Sequence, residues 1–198
     1  MGKLSLCIIV KDEYQELERC LLSVKDYVDD IVVVLTTDSL ETAAVARKYV
    51  NTVEYFEWCD DFAKARNYSF SLAKGDYILW LDADDVVEKA ESLSDVKELL
   101  DTKKDKNCCV MFPYNYEIDD NGLIVSGHWR ERIVTKGAFE WKGRIHETFI
   151  PLKPFLMIRD DIIKISHLHK KGTEKAKHER NLKILELAML EDVEDART

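Results

Sequence analysis

The 198-residue chain carries 29 Lys and Arg against 38 Asp and Glu. The resulting net charge of −9 argues against nucleic acid as the main partner, because binding a phosphate backbone needs clustered cations. With 46% hydrophobic residues, 7 Gly and 3 Pro, the composition is typical of one globular domain, which we expect to span residues 1–198. The N-terminal apolar run is too short for a signal peptide or membrane anchor, and the five cysteines lack metal-ligand spacing, so we expect a cytoplasmic protein with reduced thiols.

The first half of the sequence alternates predicted strands and helices. Strands are predicted at residues 4–10, 31–35, 52–56 and 77–81, and helices at residues 17–28, 41–49 and 62–73. Gly75 follows the third helix, where we expect it to form a left-handed C-cap. Strands joined through a helix by right-handed crossover connections run parallel to each other. The alternation therefore predicts an α/β fold with a mainly parallel central sheet. We expect residues 1–100 to form the nucleotide-binding half.

The second half, residues 101–198, shows a different pattern. A helix is predicted at residues 94–100, and a hairpin turns at the Asp-Asn-Gly sequence of residues 120–122. Strands are predicted at residues 108–112, 114–118 and 123–125, and further short segments near residues 130–134, 138–141 and 162–165. The chain is then predicted to form an amphipathic helix at residues 175–190, with Leu182, Leu185, Leu187, Ala188 and Met189 on or near its buried side. We therefore expect a small antiparallel portion in this half, which would bind a second ligand, the acceptor, beside the nucleotide-binding half.

Three carboxylates directly follow the buried strand of residues 77–81. They are Asp82, Asp84 and Asp85. Ligands of open α/β sheets bind at the carboxyl ends of the strands, so we expect all three side chains to face a crevice. Carboxylate oxygens are the ligands that Mg²⁺ and Mn²⁺ prefer. The alternative is the acidic first turn of a helix, where carboxylates favour the positive end of the helix dipole.

A basic segment lies between Lys164 and Lys183, where cations outnumber acids. A solvated helix face is the favoured interpretation of such a segment. The alternative is a patch that binds a phosphate or an anionic surface.

Several stretches resemble, in their order and spacing, the family 2 glycosyltransferases with the GT-A fold. They are residues 6–13, 61–67, 74–77, 81–85 and 141–147. The chain is most similar to the bacterial branch that includes the bacteriocin S-glycosyltransferases. The resemblance extends over residues 4–190 and implies a single glycosyltransferase domain.

The resemblance implies a nucleotide-sugar donor and a divalent cation, Mn²⁺ or Mg²⁺. Asp84 would bind the metal that bridges the two phosphates of the donor, and Asp82 would lie near the ribose or the metal shell. Arg66 would approach the diphosphate or ribose, which suits a guanidinium because it forks onto phosphate oxygens. The base pocket would be lined by Val10, Lys11 and Glu13.

Residues 141–147 contain the side chains predicted to act on the acceptor molecule. In an inverting transfer a carboxylate must take the proton from the acceptor, and Glu147 is the candidate base, with His146 as the alternative. Trp141 either stacks on a sugar face or packs in the core. The resemblance also implies a histidine that completes the metal shell, and either His167 or His169 satisfies it.

One position departs from the family pattern. Leu35 stands where the family has an acid that hydrogen-bonds the nucleotide base, and a leucine side chain accepts no hydrogen bond. Asp38, three residues later, is the candidate substitute through a shifted loop. We expect the donor to be a UDP-sugar.

Two other functions compete with a transferase. A catalytically silent binding module would explain Leu35. A sugar nucleotidyltransferase is disfavoured because residues 10–13 contain no glycine for a phosphate-binding loop. The acceptor, a hydroxyl or thiol of a peptide, glycan or cell-wall intermediate, is open, as is homo-oligomer formation.

Overall fold

The computed structural model describes residues 1–50, 52–119, 121–168 and 174–195. Its helices are α1 (Tyr14–Val24), α2 (Leu40–Tyr49), α3 (Phe62–Leu72), α4 (Leu93–Asp101) and α5 (Glu174–Asp195). Its strands are β1 (Leu4–Val10), β2 (Asp30–Leu35), β3 (Thr52–Tyr55), β4 (Tyr77–Asp82), β5 (Asp85–Glu88), β6 (Asn107–Ile118), β7 (Ile124–Thr135), β8 (Phe139–Lys142), β9 (Thr148–Pro151), β10 (Phe155–Arg159) and β11 (Lys164–His167). The predicted α/β class is confirmed.

The first half builds a parallel sheet because its strands are apolar runs that can be buried on both faces. β1 lies between β2 and β4 and pairs in parallel with both, and β3 pairs in parallel with β2. Alternate β1 side chains enter two different cores. One core holds apolar residues of α1, α2 and α4, and the other holds those of α3 and β8. The carboxyl ends of β1 and β4 therefore lie side by side at one edge.

The second half extends the same sheet with mixed pairing. The order is β3-β2-β1-β4-β7-β6-β11-β5, with β10 also paired to β6. β6 and β7 form the predicted antiparallel hairpin, but each is one long strand where shorter segments were expected. β10 and β11 run parallel to β6, which the sequence did not predict.

Asp82, Asp84 and Asp85, called the acidic cluster below, do not begin a helix. Asp85 starts β5, which pairs antiparallel with β11 and brings His167 opposite Asp85. The alternation of buried and exposed side chains along β5 fits a strand, with Val87 in the core. The helix-start alternative is therefore wrong, and the acids lie between two paired strands.

The inward face of α5 differs in part from the one predicted: Leu187 and Ala188 are half-buried, but Leu182, Leu185 and Met189 are exposed. Leu182 and Met189 are 58% and 68% exposed, whereas Ile184 is fully buried. Ile184 follows Arg180 by four residues and Lys177 by seven, so all three lie on one side of the helix, and Lys177 and Arg180 line a cavity. The helix therefore packs by a mixed polar and apolar face, which an apolar stripe does not identify. No helix in the described ranges combines the length and apolarity needed to cross a membrane.

Gly75 does not form the predicted left-handed cap, since its φ is not positive. Its lack of a side chain is needed because the β1 backbone runs close by. A Cβ at this position would lie 2.6 Å from the Lys3 carbonyl oxygen and 2.8 Å from the Ser5 nitrogen. Gly75 also donates its backbone N–H to the Ser5 hydroxyl at 2.7 Å.

We expect Gly75→Ala to destabilise the fold by about 1–3 kcal/mol, because the methyl group meets backbone atoms that cannot move without disturbing β1. The measurement is the urea midpoint of unfolding. Lys74→Ala is the matched control, since Lys74 is exposed and its loss should change stability by less than about 0.5 kcal/mol. An unchanged midpoint in Gly75→Ala would contradict the close approach.

Candidate active site

A cavity opens at the carboxyl ends of β1 and β4, where the sheet predicts a ligand. Most of the predicted binding residues line this first cavity together: Val10, Lys11, Glu13, Arg66, Asp82, Asp84 and His167. Its remaining lining comes from Ile9, Thr36, Trp58, Phe62, Ala83, Lys177 and Arg180. Residues that are far apart in sequence thus meet at one edge of the sheet.

A second cavity adjoins the first and holds both candidate bases. His146 and Glu147 line it. Three residues border both cavities: Phe62, Arg66 and Arg180. The remaining lining consists of Arg130, Ile145, Thr148 and Asn181. The predicted base and the predicted metal ligand therefore lie in neighbouring spaces with Arg66 between them.

Asp84, Asp85 and His167 form a cluster with the chemistry of a divalent-metal site. One ligand atom from each lies within 4.8 Å of the others. His167 Nδ1 is 3.3 Å from Asp84 Oδ1 and 3.1 Å from Asp85 Oδ1. Carboxylate oxygens with one imidazole suit Mn²⁺, and the oxygens alone suit Mg²⁺. The donor set therefore fits the metal that the resemblance implies, with Asp84 and His167 on the cavity wall.

Asp85 does not face the cavity as predicted. Its side chain is fully buried and meets Arg132 Nη1 at 2.9 Å. Asp85 also accepts hydrogen bonds from the Tyr114 hydroxyl at 3.2 Å and the Asp82 backbone N–H at 3.0 Å. A carboxylate beneath a histidine orients the ring and fixes its tautomer. We therefore place Asp85 behind His167, as its orienting group.

Arg66 is held between two carboxylates. Its Nη2 lies 2.7 Å from Asp82 Oδ1, and its Nε donates to Glu147 Oε1 at 2.6 Å. Although burial opposes it, the charges of Arg66 and Arg132 hold the pKa of Asp82 well below its ordinary value. The guanidinium also lies over the rings of Trp80 and Trp141, at 4.7 and 5.1 Å. Arg66 thus links the acidic cluster to the candidate base.

Other groups at the first cavity have shifted pKa values. Burial, and then the neighbouring carboxylate of Asp84, raise the pKa of Glu13. Burial also raises the pKa of Asp84, against the opposing charge of His167. Burial alone would lower the pKa of His167, but the hydrogen bond to Asp85 and the charge of Asp84 raise it. A divalent cation would favour the ionised form of these crowded acids.

The loop from β8 to β9 presents Glu147 through a strained backbone. Gly143 has φ 97° and His146 has φ 53°, so a non-glycine residue adopts the left-handed conformation immediately before Glu147. Arg144 fixes the loop by bonding the Asp60 carbonyl oxygen at 3.1 Å and Glu191 on α5 at 2.6 Å. Strain of this kind is found at functional sites, where the surrounding contacts maintain it.

The position expected to bind the nucleotide base is apolar here. Leu35 is buried in the core, and Asp38 is exposed and does not line either cavity. Thr36 lines the first cavity instead, and its hydroxyl donates to the Val10 carbonyl oxygen at 3.2 Å. Thr36 directly follows β2, so it lies at the carboxyl edge of the sheet, as Asp82 does at the end of β4.

The basic segment contributes to the cavity, which the sequence did not predict. Lys177 Nζ lies 3.7 Å from Asp84 Oδ2, and Arg180 stacks over the ring of Phe62 at 5.0 Å. The solvated-face interpretation is therefore wrong for these two side chains. Trp141 is 2% exposed and packs against Trp80, so the core alternative is confirmed for it. His169, the alternative metal ligand, lies outside the described residues.

The sequence is similar to those of known proteins. Residues 5–165 match the family described as glycosyl transferase family 2. The SPbeta prophage-derived glycosyltransferase SunS of Bacillus subtilis (strain 168) is 29% identical over 142 residues, which are 71% of this chain and 33% of that protein. A TPR repeat-containing protein of Synechococcus elongatus is 46% identical over 85 residues, 43% of this chain and 21% of that protein.

The chain thus spans a third or less of the length of these two relatives. Among solved structures, S. aureus TarS 1-349 in complex with UDP-GlcNAc has a TM-score of 0.47 and 22% identity, covering 63% of this chain and 37% of that chain. The family match covers most of the chain and includes the acidic cluster, Arg66 and Glu147. The chain therefore belongs to glycosyl transferase family 2.

Proposed function

We propose that the protein is a metal-dependent, inverting glycosyltransferase that moves a sugar from a nucleoside diphosphate donor, a UDP-sugar, to a hydroxyl or thiol acceptor. The observation that carries this proposal is the pair of adjoining cavities. One presents Asp84 and His167 to a ligand, the other presents Glu147, and Arg66 borders both. A donor and an acceptor bound side by side would meet near Arg66.

The first cavity suits the diphosphate. Asp84 and His167 would hold Mn²⁺ or Mg²⁺, with Asp82 next to them. When bound, the metal would supply positive charge that stabilises the leaving diphosphate. Lys177 adds a cation of the protein's own on the same wall. Fixed positive charge aimed at a leaving group is among the strongest contributions that a protein makes to such a transfer.

Glu147 is the proposed base. The acceptor's hydroxyl or thiol would give its proton to Glu147 and form a bond to the anomeric carbon, while the bond from that carbon to the diphosphate breaks. The hydrogen bond from Arg66 Nε orients the carboxylate at 2.6 Å. His146, on the same cavity, is the alternative base.

The nucleotide base would lie in the same cavity, near Val10, Lys11 and Glu13. Thr36 also lines this cavity, and we propose it, ahead of Asp38, as the residue that replaces the family's acid at Leu35. We also propose a cytoplasmic location, in which the five cysteines would stay reduced.

The test is a screen of nucleotide-sugars with Mn²⁺ or Mg²⁺, in which the released nucleoside diphosphate is measured. Release from a UDP-sugar, abolished by chelation, supports the proposal. The burial of Leu35 favours one competing function, a silent module that keeps the fold without binding a nucleotide. Calorimetric titration with UDP and GDP separates the two, since absence of any nucleotide binding would leave only the silent module.

We expect Glu147→Gln to lower the rate of diphosphate release by about 10²- to 10⁴-fold, because glutamine cannot accept the proton of the attacking group. Glutamine keeps an oxygen that can accept the hydrogen bond from Arg66, so the substitution tests proton transfer more than structure. The measurement is the steady-state rate with a saturating donor.

Two further variants show whether a loss of rate in Glu147→Gln is specific to this residue. Glu140→Gln on β8 is the matched control, because Glu140 lines neither cavity, and its rate should equal that of the unmodified protein. His146→Asn tests the alternative base. A large loss in His146→Asn with none in Glu147→Gln would transfer the role to the histidine.

A further inference from the structure

Two arginines line the second cavity without a carboxylate partner. Arg130 projects from β7 and Arg180 from α5. Neither forms an ion pair with any residue in the described part of the chain, whereas Arg66 on the same cavity is paired with both Asp82 and Glu147. Glu147, the carboxylate among the described residues that line this cavity, is therefore already bound by Arg66, and Arg130 and Arg180 have no direct ion pair there.

Both arginines are held in position by ring contacts. The guanidinium carbon of Arg130 lies 5.1 Å from the Trp80 ring centroid and 6.0 Å from that of Tyr114. Arg180 stacks over Phe62 and donates two hydrogen bonds to the Asn181 side-chain oxygen, at 3.1 and 2.9 Å. A planar guanidinium fixed on a ring presents its donors in a preorganised fork.

The charge of this cavity restricts what can bind next to Glu147. A neutral acceptor would displace water from the half-buried Arg130 and Arg180 without supplying an opposite charge, which is costly. An anionic group would replace that water with charge-assisted hydrogen bonds. Phosphate suits the site best, because its several oxygens can accept from two guanidinium groups at once.

We infer that the acceptor is a phosphorylated molecule, whose phosphate is bound by Arg130 and Arg180 while its hydroxyl or thiol faces Glu147. The inference rests on the proposed function and specifies its acceptor class. The phosphate itself is unchanged by the transfer and serves to hold the acceptor. A bound phosphate would also account for the cation that α5 places on this cavity, Arg180.

The experiment compares matched ligand pairs: glucose with glucose 6-phosphate, glycerol with glycerol 3-phosphate, and glucose with glucuronate. Binding to the full chain is measured by calorimetry, with and without UDP and Mn²⁺. We expect each phosphorylated ligand to bind about tenfold or more tightly than its neutral partner, as for a hydrogen-bonded charge pair. Glucuronate should bind less tightly than glucose 6-phosphate, since a carboxylate offers fewer acceptor oxygens.

The variants test which side chains provide the preference. Arg130→Gln should reduce the preference to about twofold, and Arg180→Gln, on a different element, should do the same. Arg47→Gln is the matched control, because Arg47 is exposed on α2 and lines neither cavity, so the full preference should persist. The preference is a ratio within one variant, so a general loss of binding does not imitate the effect.

Two results would overturn the inference: neutral ligands that bind as tightly as their phosphorylated partners, or a preference that survives in both Arg130→Gln and Arg180→Gln. Failure of the proposed function gives a different result, namely no nucleotide binding and no diphosphate release. Because the paired comparison is also made without nucleotide, the two failures are distinguishable.

Discussion

Asp84→Asn is expected to abolish turnover of the nucleotide-sugar, with a loss on the order of 10³-fold or more, because a metal ion contributes several kcal/mol to stabilising a leaving diphosphate. Asparagine preserves the shape of the side chain but removes the charge that a divalent cation requires. The rate of diphosphate release with Mn²⁺ measures the loss. The affinity for Mn²⁺, measured separately by calorimetry, should fall in parallel.

The same substitution should leave the fold intact. Burial and the charges of Asp82 and Asp85 raise the pKa of Asp84, so its ionised form is disfavoured in the folded state. Removing the charge relieves that repulsion, and the free energy of unfolding at neutral pH should stay equal or rise. Asp105→Asn, an exposed substitution of the same kind, is the control. Full turnover in Asp84→Asn would disprove a metal-dependent site at this residue.

The parallel half of the fold could be predicted because its signals are local. Residues 77–85 show this best, since an apolar run followed by acids identifies both a buried strand and the edge where ligands bind. The helix bounds of α2 and α3 agree with prediction to within a residue or two for the same reason. In contrast, β9 and β10 are mostly exposed and carry no clear apolar alternation, so they were missed.

Site residues were predicted where a motif contained them and missed where only the fold brings them in. Arg66 and Glu147 stood in stretches that resemble the family. Lys177 and Arg180 join the site because α5 packs across the carboxyl edge, and a basic helix face gives no sign of which neighbour it will meet. Arg132 looked like one polar residue in a short strand, yet it lies fully buried beneath the acidic cluster.

Arg132→Met is expected to destabilise the protein by about 3–5 kcal/mol, the usual cost of leaving one partner of a buried ion pair without the other. Arg132 and Asp85 are both fully buried, 2.9 Å apart. The guanidinium lies 4.1 Å from the Trp80 ring and 4.4 Å from the Tyr114 ring. Methionine fills a similar volume, so the loss would come mainly from the unpaired Asp85 carboxylate. The measurement is the free energy of unfolding in urea.

The double variant Arg132→Met with Asp85→Asn separates stability from function. Removing both charges should recover most of the lost stability, because a buried pair replaced by uncharged groups is often nearly neutral. Metal affinity should not recover, since His167 loses the carboxylate that orients its ring at 3.1 Å. The double variant would thus fold normally and bind Mn²⁺ about 10- to 100-fold more weakly. If its Mn²⁺ affinity matched that of the unmodified protein, Asp85 would have only a structural role, and Asp84 with His167 would form the metal site without support from beneath.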